Sequence, residues 1–302
     1  MKTKQKLIII VGPTGSGKSE LGVQLAKKYN GEIISADSRQ VYRGLDIGTA
    51  KVSGAWVDKT YVYKKIAHYC IDVCSPKHVF SAADYQTCGR NAIRTIAGKG
   101  KIPFVVGGTG FWIDALIFGA FLPDVDPNPT LRKKFQKKSA RELLAILEKY
   151  DLRRAATIEA KNPRRLIRAI EIAKAIGCVP EIQKKKIFSA LWLGIRLPEK
   201  TLKKRLKKRL FAWIKRGLIG EGEKLRQNKI SWKRIAELGF EYRALGDYAR
   251  GKISKDQMIE TIERGLWNYV RRQNVWFNKN VSIHWVENFK EAESSVKKFL
   301  EK

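Results

Sequence analysis

"GPTGSGKSE", residues 12–20, follows directly on the apolar run "LIIIV", residues 7–11. A short buried strand here delivers the chain into a glycine-rich loop ending in Lys18 and Ser19, and the pattern beyond predicts a helix from Lys18 to about Tyr29. Strand, G-x-x-x-x-G-K-[ST] and helix in that order make a phosphate-binding loop, similar to the loops that hold ATP. Glycines let successive N–H groups turn toward an anion, and the helix N-terminus adds partial positive charge. Gly12, Pro13, Thr14, Gly15, Ser16, Gly17, Lys18 and Ser19 are therefore the expected phosphate contacts. Lys18 would meet the terminal oxygens, and the Ser19 hydroxyl would reach a Mg2+ ion. The loop alone accepts a nucleoside triphosphate or any other diphosphate.

Outward from this loop, further strands are expected at "EIISA" (32–36), "IPFVV" (102–106), "ALWLGI" (190–195) and "SIHWV" (282–286), with helical patterns between them. The alternation predicts an α/β fold, a P-loop doubly wound, mostly parallel sheet. Ser81 with Asp84 and Ser254 with Gln257 read as capping boxes, and another helix is expected from Gly110 to about Phe118. From Phe121 to about Lys186 the strand signal disappears. Residues 120–186 are therefore expected to form a helical insertion domain, and residues 1–119 with 187–302 the α/β core and its C-terminal helices. Within the insertion, Asn162 would cap a helix that Pro163 begins and Gly177 ends. Leu202, Leu206 and Leu210 define the inward face of a helix whose remainder is "KKRLKKR"-rich and basic.

Composition adds a partner class. The 302 residues include 61 Lys and Arg against 29 Asp and Glu, a net charge of +32. Such a surplus points to a polyanion. It falls mainly after residue 120: residues 1–120 hold 17 basic and 8 acidic side chains, whereas residues 121–302 hold 44 and 21. The large anion is thus expected on the later part of the chain. Cys70, Cys74, Cys88 and Cys178 form no C-x-x-C pair, and with three histidines they suggest free thiols rather than a zinc site. No apolar run is of membrane length, and a cytoplasmic location is expected.

A nucleotide hydrolase of this fold usually carries an acid at the end of a second apolar strand to hold its metal. Here "IPFVV" runs into "GGTG", and the acid that ends a strand is Asp37, in "IISADSRQVYRGLDIGTAK". Side chains at such strand ends face the ligand crevice, so Asp37 reads as a general base or a group that orients the acceptor. Capping of the following turn is its simpler role.

Together "GPTGSGKS", "IISADSRQVYRGLDIGTAK", "HYCIDV", "FSAADYQ", "VVGGTGFWIDAL", "NPRRLIRAIEI" and "YVRRQNVWF" resemble, in order, the blocks of the tRNA dimethylallyltransferases, the bacterial tRNA isopentenyltransferase family. The resemblance spans nearly the whole chain. It implies transfer of a dimethylallyl group from dimethylallyl diphosphate to the exocyclic N6 amine of an adenine beside the tRNA anticodon. By position it implies Asp37 as base, Thr109 in the channel between the two substrates, and Arg205 or Arg209 on the diphosphate. It further implies contacts to the anticodon stem-loop from Ser38, Arg39, Gln40, Arg164, Arg165, Leu166, Ile167, Arg168, Arg272 and Gln273, with Mg2+ as cofactor and a monomer as the working form. An isopentenyltransferase acting on free AMP and a P-loop kinase of a small metabolite are the alternatives.

Overall fold

The computed structural model describes residues 4–118, 123, 125–181 and 187–302. Each apolar run of the sequence becomes a strand of one sheet, and each amphipathic segment becomes a covering helix. In chain order the elements are β1 (Lys6–Val11), α1 (Lys18–Lys28), β2 (Gly31–Ala36), β3 (Ala55–Val57), β4 (Thr60–Tyr63), β5 (Ile66–Tyr69), α2 (Ala82–Gly98), β6 (Ile102–Gly107) and α3 (Gly110–Ile117). Four helices follow, α4 (Pro129–Phe135), α5 (Ala140–Glu148), α6 (Leu152–Thr157) and α7 (Pro163–Ile176). The chain then returns through β7 (Ser189–Ile195), α8 (Glu199–Lys215), α9 (Leu218–Gln227), α10 (Trp232–Leu238), α11 (Phe240–Ala249), α12 (Lys255–Phe277), β8 (Ile283–Val286) and α13 (Phe289–Glu301).

The sheet runs in the order β3-β4-β5-β2-β6-β1-β7-β8. From β5 to β8 every neighbouring pair is parallel, and β3, β4 and β5 pair antiparallel at one edge. The central strands are buried on both faces, which is why they read as continuous apolar runs. Strand order switches beside β1, because the chain goes one way to β2 and the other way to β7. Ligand crevices of open α/β sheets lie at such a point, outside the carboxyl ends of the strands.

The hairpins β3–β4 and β4–β5 were not expected from the sequence. Their strands are three or four residues long, and their turns lack glycine: Asp58 and Lys59, then Lys64 and Lys65, all have positive φ. Paired left-handed residues suit the twist of a tight hairpin, but a Lys-Lys turn carries no compositional signal. The free-thiol expectation also needs correction. Cys70, just after β5, and Cys88, on α2, are bonded as a disulfide with Cα atoms 6.1 Å apart, while Cys74 and Cys178 are free. Spacing along the chain gave no hint that α2 lies across the end of β5.

By contact density the chain divides into Met1–Phe118 with Lys186–Lys302, and Gly119–Lys185. The first unit contains the sheet with clusters of buried apolar side chains on its two faces. The second is a small helical body around Phe135, Leu143, Leu147, Leu166, Ile170 and Val179. Asn162 caps α7 by accepting from Arg165 N–H, Pro163 occupies its first turn, and Gly177 ends it at φ 88°. Two buried carboxylates hold this small core. Glu171 receives two bonds from the Arg132 guanidinium at 2.7 and 2.9 Å, and Asp151 accepts from Val179 N–H at 2.7 Å.

Two further buried charges fix the segment between β2 and β3. Glu221 on α9 accepts the N–H groups of Asp46, Ile47 and Gly48 at 2.7, 2.7 and 2.9 Å, and the Tyr242 hydroxyl at 2.8 Å. Lys51, buried, donates to Tyr42 O at 2.9 Å and Asp46 Oδ1 at 2.6 Å, and pairs with Asp72. Removing Glu221 strands three amides and a phenol in an apolar cluster, which costs about 1–3 kcal/mol for each group left without a partner. Glu221→Ala should therefore lower the unfolding free energy by about 3 kcal/mol or more, read by denaturant melts, with Glu221→Gln losing less.

Candidate active site at the carboxyl edge of the sheet

Register decides where the site lies. Val11 of β1 is level with Gly107 of β6, and Gly107 is level with Ala36 of β2. The chain leaves these three adjacent strands as the loop at Gly12, as Asp37 and as the loop at Gly108, so three segments distant in sequence emerge side by side. Gly107 must be glycine here, since a Cβ would lie 2.1 Å from Ala36 O.

The phosphate loop has the backbone its sequence requires, with Gly12, Gly15 and Gly17 at φ 151°, 85° and 100°. At Gly12 a Cβ would fall 2.8 Å from Ile195 O, and at Gly15 it would crowd Leu202 and Leu206 of α8. Two loop donors are used internally: Ser16 N–H bonds Pro13 O at 3.2 Å, and Thr14 N–H bonds Gln273 Oε1 at 2.8 Å. Among the described residues, the N–H groups of Gly15, Gly17, Lys18 and Ser19 find no acceptor, and the buried Ser16 hydroxyl is unpartnered. This is a cradle for anionic oxygens. The Lys18 ammonium lies 3.4 Å from Pro13 O. Burial pulls its pKa down to about 8, against the opposing attraction of Asp37, and Arg209 lowers it further.

Of the two arginines the sequence offered, Arg209 Nη1 donates to Thr14 Oγ1 at 3.1 Å, while Arg205 is exposed. The side chain that meets the loop is therefore Arg209. Burial lowers its pKa first, and the nearby Arg205 charge adds to this. Leu202, Leu206, Leu210 and Trp213 are buried on α8, so the apolar face that anchors the helix also presents Arg209 to the loop.

Asp37 does cap its turn: Oδ1 accepts Arg39 N–H at 2.9 Å, which fixes the carboxylate. It also lines a cavity of about 130 Å³, whose wall includes Thr14 of the phosphate loop, Ser38, Glu241, Tyr269 and Arg272. Thr109 stands beside it, accepting Ser38 N–H at 3.0 Å and hydrogen-bonded with Tyr269. Capping and facing the crevice are thus both properties of Asp37. Metal-binding capacity is narrower. Among the described residues no group of three His, Cys, Asp or Glu side chains could hold an ion. A hard cation that keeps its waters and binds phosphate oxygens needs few protein ligands, and the Ser19 hydroxyl at the helix start suits that mode.

Several residues expected on RNA are otherwise occupied. Gln273 is buried, and its Nε2 donates to Gly108 O at 3.0 Å while Oε1 holds Thr14 N–H. It braces the phosphate loop against the Gly108 loop, with both amide atoms turned to the protein's own backbone. Gln40 holds Thr49 O and Ala50 O at 3.3 and 3.4 Å and accepts the Ser35 hydroxyl. Leu166 is fully buried in the core of the helical unit and cannot touch RNA, and Ile167 packs at its side. In that unit Arg164 is exposed, Arg165 pairs with Glu159 at 2.8 Å, and Arg168 lies 3.4 Å from Glu171. Arg39 donates to Glu237 O at 3.0 Å, and Arg272 lies over the Tyr269 ring at 5.7 Å. Trp276 packs on Gly110 and edge-on to Phe111, in the packing role open to it from the sequence.

Sequence reasoning missed Trp213, Phe240, Glu241 and Leu266 as cavity residues, although Gly48, Thr49, Ala50 and Tyr269 lay within quoted blocks. No local pattern marks a glutamate two residues after Gly239 as buried.

The family model described as IPP transferase matches residues 40–280. A tRNA dimethylallyltransferase of Bacillus subtilis is 33% identical, over 98% of this chain and 95% of that protein. Among solved structures, a tRNA isopentenylpyrophosphate transferase of Bacillus halodurans is similar with TM-score 0.69 at 32% identity, over 99% of this chain and 96% of that one. A tRNA isopentenylpyrophosphate transferase of Staphylococcus epidermidis is similar with TM-score 0.70 at 30% identity, over 99% of both chains. With a family model covering most of its length and relatives that match it nearly end to end, this chain belongs to the IPP transferase family.

Proposed function

We propose that this protein transfers a dimethylallyl group from dimethylallyl diphosphate to the N6 amine of the adenine 3′ to the tRNA anticodon. One observation carries the reading: Thr14 of the phosphate loop, adjoining the anion cradle, and Asp37 line the same cavity. A leaving diphosphate and a proton-accepting base can therefore serve one reaction centre.

The amine nitrogen attacks the allylic carbon as the bond from that carbon to the diphosphate oxygen breaks, and the diphosphate departs with the electron pair. Negative charge gathers on the departing oxygen, where the free N–H groups of Gly15, Gly17, Lys18 and Ser19, the Lys18 ammonium and the Arg209 guanidinium can meet it. The amine proton passes to Asp37, which the Arg39 N–H holds in place. A magnesium ion, held by Ser19 and the diphosphate oxygens, would supply further neutralisation of that charge. The target base must be splayed from its stack to enter the cavity, as RNA-specific modules commonly require. Exposed arginines of the helical unit, Arg164 foremost, together with Arg39 and Arg272, are the phosphate contacts this reading assigns. The proposed working form is a monomer acting on tRNA in the cytoplasm. No helix among the described residues is long and apolar enough to cross a membrane.

Incubation with dimethylallyl diphosphate, magnesium and either unmodified tRNA or AMP, followed by mass analysis of the nucleosides, tests the reading. Prenylated adenine on tRNA alone is expected; product on AMP alone, or ATP turnover without prenylation, would overturn it. Lys18→Ala should lower kcat by about 10²–10³, and Asp37→Ala by about 10²–10⁴. Arg209→Ala should weaken inhibition by inorganic pyrophosphate much more than Arg205→Ala, read by titration of the inhibitor. Lys18 carries its charge below about pH 8 and loses it above. Pyrophosphate inhibition should accordingly weaken as pH rises through 8, and Lys18→Arg should remove that dependence. Affinity for the anticodon stem-loop should fall steeply with salt, with a log–log slope of about −0.7 to −0.9 per neutralised phosphate.

A further inference from the structure

Glu241 is a carboxyl group that the chemistry above does not use. It lies in the first turn of α11, is 8% exposed, and lines the cavity beside Asp37. Among the described residues it forms no ion pair, and its carboxyl makes no hydrogen bond to another side chain. Its charged surroundings are Asp37 and Arg39 from the segment after β2, together with Tyr269 and Arg272 of α12 on the same wall. A buried carboxyl without a cation partner keeps its proton: burial raises its pKa to about 8, against the lowering by its own backbone N–H and by Arg39, and Asp37 adds a smaller upward push. Phe240, Leu266 and Trp213 supply apolar walls around these polar groups, the usual make-up of a pocket for a flat heterocycle.

The two carboxyls therefore differ in kind. Asp37 accepts. Glu241, holding its proton, offers an O–H donor beside a carbonyl acceptor. Adenine presents a matching edge, an amine donor next to a ring-nitrogen acceptor, on both its Watson–Crick and its Hoogsteen sides. Guanine presents an oxygen in place of the amine. We propose that Glu241 positions the acceptor base, its carboxyl donating to the ring nitrogen that neighbours the amine held by Asp37. This rests on the function proposed above. The inference extends that reading by naming the group that orients adenine; at N1 the same bond also rejects guanine, whose N1 carries a hydrogen, whereas N7 is an acceptor in both purines.

The test uses the full-length chain, dimethylallyl diphosphate with magnesium, and anticodon stem-loop RNAs bearing adenosine, 1-deazaadenosine or 7-deazaadenosine at the acceptor position. For the unaltered chain one of the two deaza RNAs should lose about tenfold in kcat/KM, the worth of one well-made hydrogen bond. In Glu241→Ala the adenosine RNA should lose a similar factor and the deaza penalty should vanish, while KM for dimethylallyl diphosphate stays unchanged. Glu241→Gln, which keeps a donor beside an acceptor without the charge, should recover most of the activity and restore the penalty. If the deaza penalty is the same with Glu, Gln or Ala at position 241, or if neither deaza RNA is penalised, the assignment fails. If the unaltered chain prenylates no RNA at all, the functional reading fails first, and the two failures are distinct. Thermal melts of both variants separate a folding defect from a lost contact, because a merely structural glutamate would leave the deaza ratio intact.

Discussion

The register of three parallel strands is the constraint on which this structure depends. Because Val11, Gly107 and Ala36 end level with one another, the phosphate loop, the Gly108 loop and Asp37 leave the sheet within reach of a single ligand. Parallel strands buried on both faces have little freedom to slip, since a shift of one residue would turn every side chain to the other face. Gly107 adds a local lock, because a side chain there would collide with the Ala36 carbonyl. The position of the candidate chemistry is thus a property of the sheet, and the loops inherit it.

What the sheet brings together, buried polar side chains hold in place. Gln273 reaches from α12 with one amide atom on the phosphate loop and the other on Gly108, so movement of either loop is transmitted to the other. Glu221 performs the same task for residues 46–48, and Gln40 does so for residues 49 and 50. These groups satisfy backbone donors and acceptors that would otherwise be lost inside the protein, which is why they are glutamines and glutamates rather than leucines. Their cost is specificity of shape: each residue can serve only one arrangement of its loop.

Electrostatics divides the site in two. Lys18, Arg209 and the unengaged N–H groups of the loop, adjoining Thr14, attract anions. On the cavity wall stand two carboxyls, Asp37 and Glu241, in different surroundings. Asp37 accepts a backbone donor on one oxygen, whereas Glu241 is buried, which raises its pKa. Carboxyls set apart by their surroundings can divide acceptor and donor duties within one site.

The sequence by itself determined the loop and its anion preference, the four long strands and β8, the capped helices and the helical character of the segment after α3, because each is written in local pattern: glycine spacing, apolar runs, or a Ser-x-x-Asp or Ser-x-x-Gln box. It also placed Asp37 at a strand end, and the family resemblance narrowed the loop arginine to two positions. Tertiary structure decided the rest. Choosing Arg209 over Arg205 depended on which side of α8 faced Thr14, and the internal roles of Gln40, Leu166 and Gln273 depended on what packed over them. The glycine-free hairpins, the Cys70–Cys88 bond and the burial of Glu241 arise from contacts between segments far apart in the chain. No local pattern encodes such contacts, because burial and proximity are properties of the packed whole.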